Sequence, residues 1–411
     1  MALRSLLILL VLFFCYPLKA QNNPASIYIN GGINNPEIPD KIKDDPLYTF
    51  NVHIGGYLQL WYIYEGVENG KRQRLTNDEA AQQASGFSFN RARVYIENID
   101  GKLRGKISAK LESGTPSMLD AYVHYLLIKD NLQLRAGQMK IPSTYEVETS
   151  SSNLEFATRS RFTDNVANWS LSKSTSSISP FTSVQTYYRD LGVAIRGNLY
   201  GFTYHCMISN GLGANLFVGG NESRQFVYTN TFGAYFFGTR LSWDIMRLFH
   251  LVDFPVSSFR LGGHRNRNRH PNILYNDTKT VLDIDRESWS SDIQIIIFNR
   301  IRLTGMYGKG VVEDDFDNNN EPDYRYHGYE LRVIVEILKD RLEAGFRFDS
   351  YTDENSIFGG EETMKTYTLG INYYIPPGLR MQPNYKWKRL EGELNIETND
   401  DIFILSAQYE F

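Results

Sequence analysis

The chain has 411 residues, 43 Lys and Arg against 47 Asp and Glu for a net charge of −4, and 14% aromatic side chains. That balance excludes a typical nucleic-acid binder, which would carry a basic excess. Beyond the first twenty residues no stretch is apolar enough for a membrane-spanning helix, and two cysteines, Cys15 and Cys206, are too few for a disulfide framework.

In chain order, Arg4, the apolar run from Leu6 to Cys15, and then Pro17, Lys19 and Ala20 have the layout of a secretory signal peptide over residues 1–20, cut before Gln21. Its apolar run of about ten residues is too short to span hydrocarbon. Without it, 41 basic and 47 acidic side chains remain, a net of −6, and Cys206 has no intrachain partner. Residues 21–47 hold Pro24, Pro36, Pro39 and Pro46 among polar residues and are expected to form an extended periplasmic leader.

From residue 48 to 411 a period of two recurs. Leu58, Leu60, Tyr62 and Tyr64 alternate with Tyr57, Gln59 and Trp61, and Ala92, Val94 and Ile96 with Arg91, Arg93 and Glu97. Leu103, Ile107 and Ala109 alternate with Lys102, Arg104, Lys106 and Lys110. Later, Leu331, Val333 and Val335 alternate with Glu330, Arg332 and Glu336, and Ala344, Phe346 and Phe348 with Glu343, Arg347 and Asp349. Strands with one apolar and one charged face result. Tight turns at Asp100-Gly101, Asn299-Arg300, Lys339-Asp340 and Pro376-Pro377-Gly378 alternate with long polar stretches at 65–86, 141–187, 209–232, 264–286, 310–326, 351–364 and 389–401. This rhythm predicts an all-β fold: a transmembrane antiparallel β-barrel of about 16 strands, with short periplasmic turns and long extracellular loops. Tyr62, Tyr64, Tyr373, Tyr374, Trp387 and Phe411 suit its aromatic girdles. The final ILSAQYEF, residues 404–411, is the strand that closes the ring. The segment 246–256 is long and apolar for a turn.

A barrel this wide encloses an aqueous lumen. Arg91, Arg93, Lys102, Arg104, Lys106 and Lys110 form two basic columns, which Arg135, Lys140 and Arg196 extend. Guanidinium forks and ammonium groups suit phosphate and other oxyanions, so one reading is an anion ladder. The other is a balanced polar lumen, since Glu97, Glu112 and Asp120 share the same strands. The stretch 141–187 is expected to fold inward as a constriction loop carrying Arg159, Arg161 and Lys173. GGHRNRNRH at 262–270 is expected in a loop, gathering anions, touching lipid headgroups or simply solvated. The acidic run at 313–323 lacks the glycine and closing glutamate of a calcium loop and suits a solvated loop. No metal, cofactor or catalytic constellation is expected, so the chain is not read as an enzyme. A general or sugar-conducting porin is the alternative, with Tyr57 and Trp61 as its aromatic slide; a barrel enzyme or a surface-binding barrel are more distant ones.

The segments FSFNRARVYIENIDGKLRGKISAKLE (87–112), DAYVHY (120–125), LRAGQMKIPSTYE (134–146), YRDLGVAIRGNLYG (188–201), ISNGLG (208–213), LGINYYI (369–375) and AQYEF (407–411) resemble the phosphate-selective porins O and P, in that family's order. The resemblance implies a sixteen-stranded porin of the Gram-negative outer membrane, usually a homotrimer set in outer-membrane lipid, passing small anionic solutes by diffusion. It also implies that Phe411 is the assembly signal read by the barrel-assembly machinery. Phosphate-selective members carry a lysine-rich constriction, whereas Ser, Thr and Asn dominate 141–187 here.

Overall fold

Side chains that alternate apolar and polar suit a pleated surface wetted on one face only. In the computed structural model such segments join in one antiparallel sheet. The structure describes residues 27–30, 51–67, 85–112, 116–128, 131–167, 188–210, 235–248, 256–275, 280–314, 324–354, 361–392 and 398–411. A short strand β1 (Ile27–Asn30) precedes sixteen longer ones. These are β2 (Asn51–Val67), β3 (Ser85–Asn98), β4 (Leu103–Lys110), β5 (Ser117–Ile128), β6 (Leu132–Lys140), β7 (Arg189–Leu199), β8 (Phe202–Ser209) and β9 (Tyr235–Asp244). They continue with β10 (Val256–Tyr275), β11 (Thr280–Ile297), β12 (Ile301–Asp314), β13 (Tyr324–Leu338), β14 (Leu342–Asp353), β15 (Glu362–Ile375), β16 (Leu379–Gly392) and β17 (Thr398–Glu410).

Each strand from β2 to β17 pairs with the next, and β17 returns to β2 in a register running from Asp400↔Val67 to Glu410↔Tyr57. The last residue continues that seam: Phe411 N–H donates to the Gly56 carbonyl and Gly56 N–H to the Phe411 carbonyl, both at 3.0 Å. Glycine at 56 is a steric requirement, since a Cβ there would lie 2.4 Å from the Arg93 carbonyl and 2.8 Å from the Phe411 ring. Below the seam, β1 takes the place that β17 vacates and pairs Ile27↔Ile54 through Asn30↔Asn51.

Burial is inverted relative to a soluble domain. Apolar side chains on the outer face stand open, Ile107 at 61%, Leu331 at 55% and Ile96 at 51%, while Glu330, Arg347 and Asp349 on the inner face are fully buried. The outer face carries rings in lateral contact at one level: Trp289 with Tyr307 (5.5 Å), Tyr329 with Phe348 (5.6 Å), Phe348 with Tyr367 (4.8 Å) and Tyr385 with Trp387 (4.6 Å). Such a girdle marks a membrane interface. Tyr374 does not belong to it. Its neighbour Tyr373 points outward, so Tyr374 turns inward and donates to Glu343 at 3.0 Å.

A second expectation changes. The 262–270 segment lies within β10, paired with both β9 and β11, rather than in a loop. Arg265 and Arg267 face outward, bound to Glu287 and Asp285 at 2.8 and 2.6 Å, while His264 and Asn266 face the interior and are buried. The apolar linker begins with a helical turn, α3 (Ile245–Leu248); residues 249–255 lie outside the described residues, as do the signal segment, most of the leader and 168–187.

Because the seam depends on Gly56 and Phe411, Gly56→Val is expected to lower the yield of heat-modifiable folded barrel on unheated SDS gels severalfold. An unchanged yield would show that the seam tolerates displacement of the terminal ring.

Candidate functional site

A ring of sixteen strands is too wide for its own side chains to fill. The segment after β6 enters this space. Pro142 has no N–H to extend the ladder, and the chain turns inward through α1 (Tyr145–Glu148), a single 3₁₀ turn (Ser151–Asn153) and α2 (Arg161–Ala167). Glu146, Val147, Leu154, Phe156, Phe162 and Thr163 are each no more than 2% exposed.

Two aromatic knobs seat this loop. Gly345 and Gly370 are direct cross-strand partners on β14 and β15, and a Cβ on either would come within 3.1 or 2.9 Å of the Phe156 ring. Gly308 and Gly328 pair in the same way on β12 and β13, and their Cβ atoms would come within 3.2 and 2.9 Å of Phe162. Each knob therefore sits in a socket floored by backbone. Phe162 also packs on Met306, Tyr326 and Tyr351, and the Arg347 guanidinium lies 4.8 Å from the Phe156 ring centre.

Charge fixes the same wall. Glu146 accepts from Arg332 (3.0 Å) and Arg347 (3.4 Å), and Glu155 from Arg302 (3.0 Å) and Arg332 (2.8 Å). Arg332 also binds Glu330. Burial alone would push the Glu146 carboxyl up, but Arg332 and Arg347 bring it below the usual carboxylate range. The loop's backbone is satisfied by wall side chains: Arg380 and Gln382 donate to the Leu154 carbonyl, Asn372 to that of Glu155, Gln408 to that of Ser152 and Arg347 to that of Thr158. Ala157 N–H donates to Asn384 and Arg161 N–H to Asp349.

On the opposite side, Glu148 binds His205 (2.8 Å) and Arg196 (3.5 Å). Burial opposes its ionisation, yet His205 and Arg196 hold this carboxyl well below its usual range. Lys140 gives its ammonium protons to the carbonyls of Val147 (2.8 Å) and Thr149 (2.8 Å), closing the C-terminal end of α1.

The loop also meets β3, β6, β7 and β8, on the side where the basic columns stand. Their members have separate roles. Arg91 donates to Gln59 at 2.6 Å and lies over Trp61 at 6.0 Å. Arg93 donates to Ser151 Oγ at 2.9 Å and lies over Tyr57 at 5.8 Å; Arg159, on the loop, reaches the same Oγ at 3.5 Å and lies over Tyr188 at 5.1 Å. Two guanidiniums thus converge on one neutral hydroxyl. Arg135 donates to Gln133 and lies over Tyr122 at 5.0 Å, while Arg104 donates to the Gly101 carbonyl. Lys110 is the cross-strand partner of Arg93.

Other expected members are engaged elsewhere. Lys106 binds Glu97 at 2.9 Å, Arg196 binds Glu148, Lys140 caps α1, and Lys102 sits exposed in the β3–β4 turn, outside the lumen wall. Arg161 opens α2 on the wall side, and Lys173 lies outside the described residues. Sequence reasoning missed Glu146, Ser151, Glu155, Phe156 and Phe162. Glycines at inward positions of four neighbouring strands were the available signal for the knobs.

A closed antiparallel barrel of sixteen strands, its charged lumen narrowed by the loop after β6, has the architecture of an outer-membrane porin. Residues 66–205 of the chain match the model of the family described as phosphate-selective porin O and P. No curated protein matches the chain. Among solved structures, the anion-selective porin from Comamonas acidovorans superposes with a TM-score of 0.56 at 10% identity, over 88% of this chain and 99% of that one. OmpT of Vibrio cholerae with loop L8 deleted gives 0.55 at 12%, over 88% and 99%. The outer membrane channel DcaP of Acinetobacter baumannii gives 0.54 at 12%, over 88% and 97%. At such identities these likenesses show the fold.

Overpacking a socket costs about 1–3 kcal/mol, so Gly370→Val is expected to unseat Phe156 and raise single-channel conductance while the barrel stays heat-modifiable; unchanged conductance would mean the knob does not set the bore. The depressed Glu148 carboxyl contributes docking that is complete above its ordinary value of about 4.3 and is lost as pH falls below it. Current noise is therefore expected to rise as pH falls below about 4, with Glu148→Gln noisy already at neutral pH. Equal noise in the two proteins at all pH values would separate Glu148 from docking.

Proposed function

We propose that this chain is an outer-membrane porin through which small anions diffuse, phosphate or other oxyanions among them. The observation that carries the reading is the convergence of Arg93 and Arg159 on Ser151 Oγ, with Arg91 beside them on β3. None of the three guanidiniums takes a carboxylate partner among the described residues, although on the opposite wall Arg302, Arg332 and Arg347 are each paired with acids. Such an eyelet offers N–H donors in fork geometry with no carboxylate bonded to them, and weak sites of this kind release what they bind.

Residues 1–20 serve export in this reading, 21–47 form a periplasmic leader, Phe411 is read by the barrel-assembly machinery, and the protein assembles as a homotrimer. The match to the phosphate-selective porin family over 66–205 and a C. acidovorans structure described as anion-selective support the anion preference. A sugar-conducting lumen gains less support. Tyr57 and Trp61 face inward but are only 6% and 9% exposed, the first beneath Arg93 and the second packed on Ala157, Ile402 and Ile404.

In planar bilayers under a potassium chloride gradient, the reversal potential is expected to report anion preference, and Arg91→Ala/Arg93→Ala/Arg159→Ala to reduce the anion-to-cation permeability ratio severalfold. A cation preference in the wild type would defeat the anion reading, and absence of conductance would defeat the pore.

A further inference from the structure

We propose a second oxyanion station on the lumen wall at the short-turn mouth, formed by Arg104, His124 and Arg135; it deepens the anion-porin reading above and rests on it. The three residues are direct neighbours in one row of the sheet, Arg104 opposite His124 on β4 and β5, and His124 opposite Arg135 on β5 and β6. All three lie on the inner face, since their chain neighbours Leu103, Val123 and Leu134 stand open on the outer one. Two cations flanking an imidazole on adjacent strands would ordinarily be relieved by a carboxylate in the next position. Here the nearby acids are spent. Glu97 binds Lys106 (2.9 Å) and His53 (3.3 Å), Asp120 binds Arg189 (2.6 Å), and Glu148 binds His205 and Arg196.

The donor atoms are set for a ligand. Arg104 uses its Nε on the Gly101 carbonyl, and Arg135 uses Nη2 on Gln133 (3.3 Å), leaving further guanidinium N–H groups on both. Arg135 is braced over the Tyr122 ring, which stacks on His124 at 5.9 Å with 27° between planes. His124 Nδ1 and Arg135 Nε are buried without a partner. A buried lone pair is cheaper to leave unmatched than a buried N–H, so the imidazole proton belongs on Nε2. The row is therefore a set of donors, which suits a compact oxyanion with two or more terminal oxygens, such as phosphate or a carboxylate.

Lys110, the partner of Arg93 at the eyelet, is six residues from Arg104 on β4, so the two stations lie about 20 Å apart along the strand. Two weak sites in series let one anion arrive as another leaves.

The test is sided block of chloride current through oriented single barrels, with inorganic phosphate or acetate added to the short-turn or the long-loop side. Phosphate from the short-turn side is expected to block the wild type. Arg104→Gln/Arg135→Gln and, separately, His124→Phe, which keeps the ring on Tyr122, should each weaken that block about tenfold and change block from the loop side less than twofold. Acetate block that follows the same pattern assigns the station to oxyanions generally, and its absence assigns it to phosphate. Equal block from both sides, unaltered in the variants, overturns the proposal. A second readout separates the station from conduction: broadening of the phosphate phosphorus resonance by detergent-solubilised barrel should fall in Arg104→Gln/Arg135→Gln. Equal broadening in wild type and variant overturns the station even where the channel is anion-selective, and cation preference with reduced broadening overturns the channel reading alone.

Discussion

Hydrocarbon offers no hydrogen-bond partner to a backbone N–H or C=O, so a sheet placed in it must end where it began. The seam between β17 and β2 meets that requirement, down to the terminal residue, whose N–H and carbonyl both bond to Gly56. Once the ring is closed the other features follow. The outer face must be apolar and fringed with rings. The inner face can carry charge at no contact with lipid. A ring of sixteen strands leaves an interior that something else has to occupy.

What occupies it is a loop held by two kinds of force. Phe156 and Phe162 fit sockets made by cross-strand glycine pairs, where the absence of Cβ lets the rings reach the backbone. Glu146 and Glu155 meet Arg302, Arg332 and Arg347, so that each carboxylate, the buried Glu146 included, has two guanidiniums. Removing one partner from such a group leaves an uncompensated charge, which costs about 3–5 kcal/mol. The loop is therefore a fixed insert at neutral pH. Glu146 and Glu155 are consumed on the β12 to β14 wall and Glu148 on β7 and β8, and this leaves Arg93 and Arg159 together on Ser151 with Arg91 beside Arg93 on β3. Identical residue types thus serve two purposes, and the difference lies in what stands opposite them.

Strand periodicity was legible wherever the strand lies in lipid, because there the two faces use different alphabets. At 262–270 the outward residues are Arg265 and Arg267 rather than aliphatics, so the pattern resembled a loop although the period of two was intact. Tyr374 was misplaced for a related reason: two consecutive aromatics cannot both face lipid, and only the pairing register shows which one turns in. The basic columns were legible as residues but not as free or spent charges. Lys140 looked like part of a ladder, yet the carbonyls of Val147, Glu148 and Thr149 at the end of α1 surround its ammonium. Ser151 carried no signal at all in a stretch already rich in serine.

By itself the sequence determined the sheet, its approximate strand number, the alternation of short and long connections, and the two faces of most strands, because these depend on local periodicity. Only the tertiary structure decided which wall the inward loop docks on, which cations are paired with acids, and which glycines act as sockets. Those outcomes depend on contacts between residues two hundred and more positions apart, Glu146 with Arg347 and Ser152 with Gln408 among them, and no local pattern encodes such a distance.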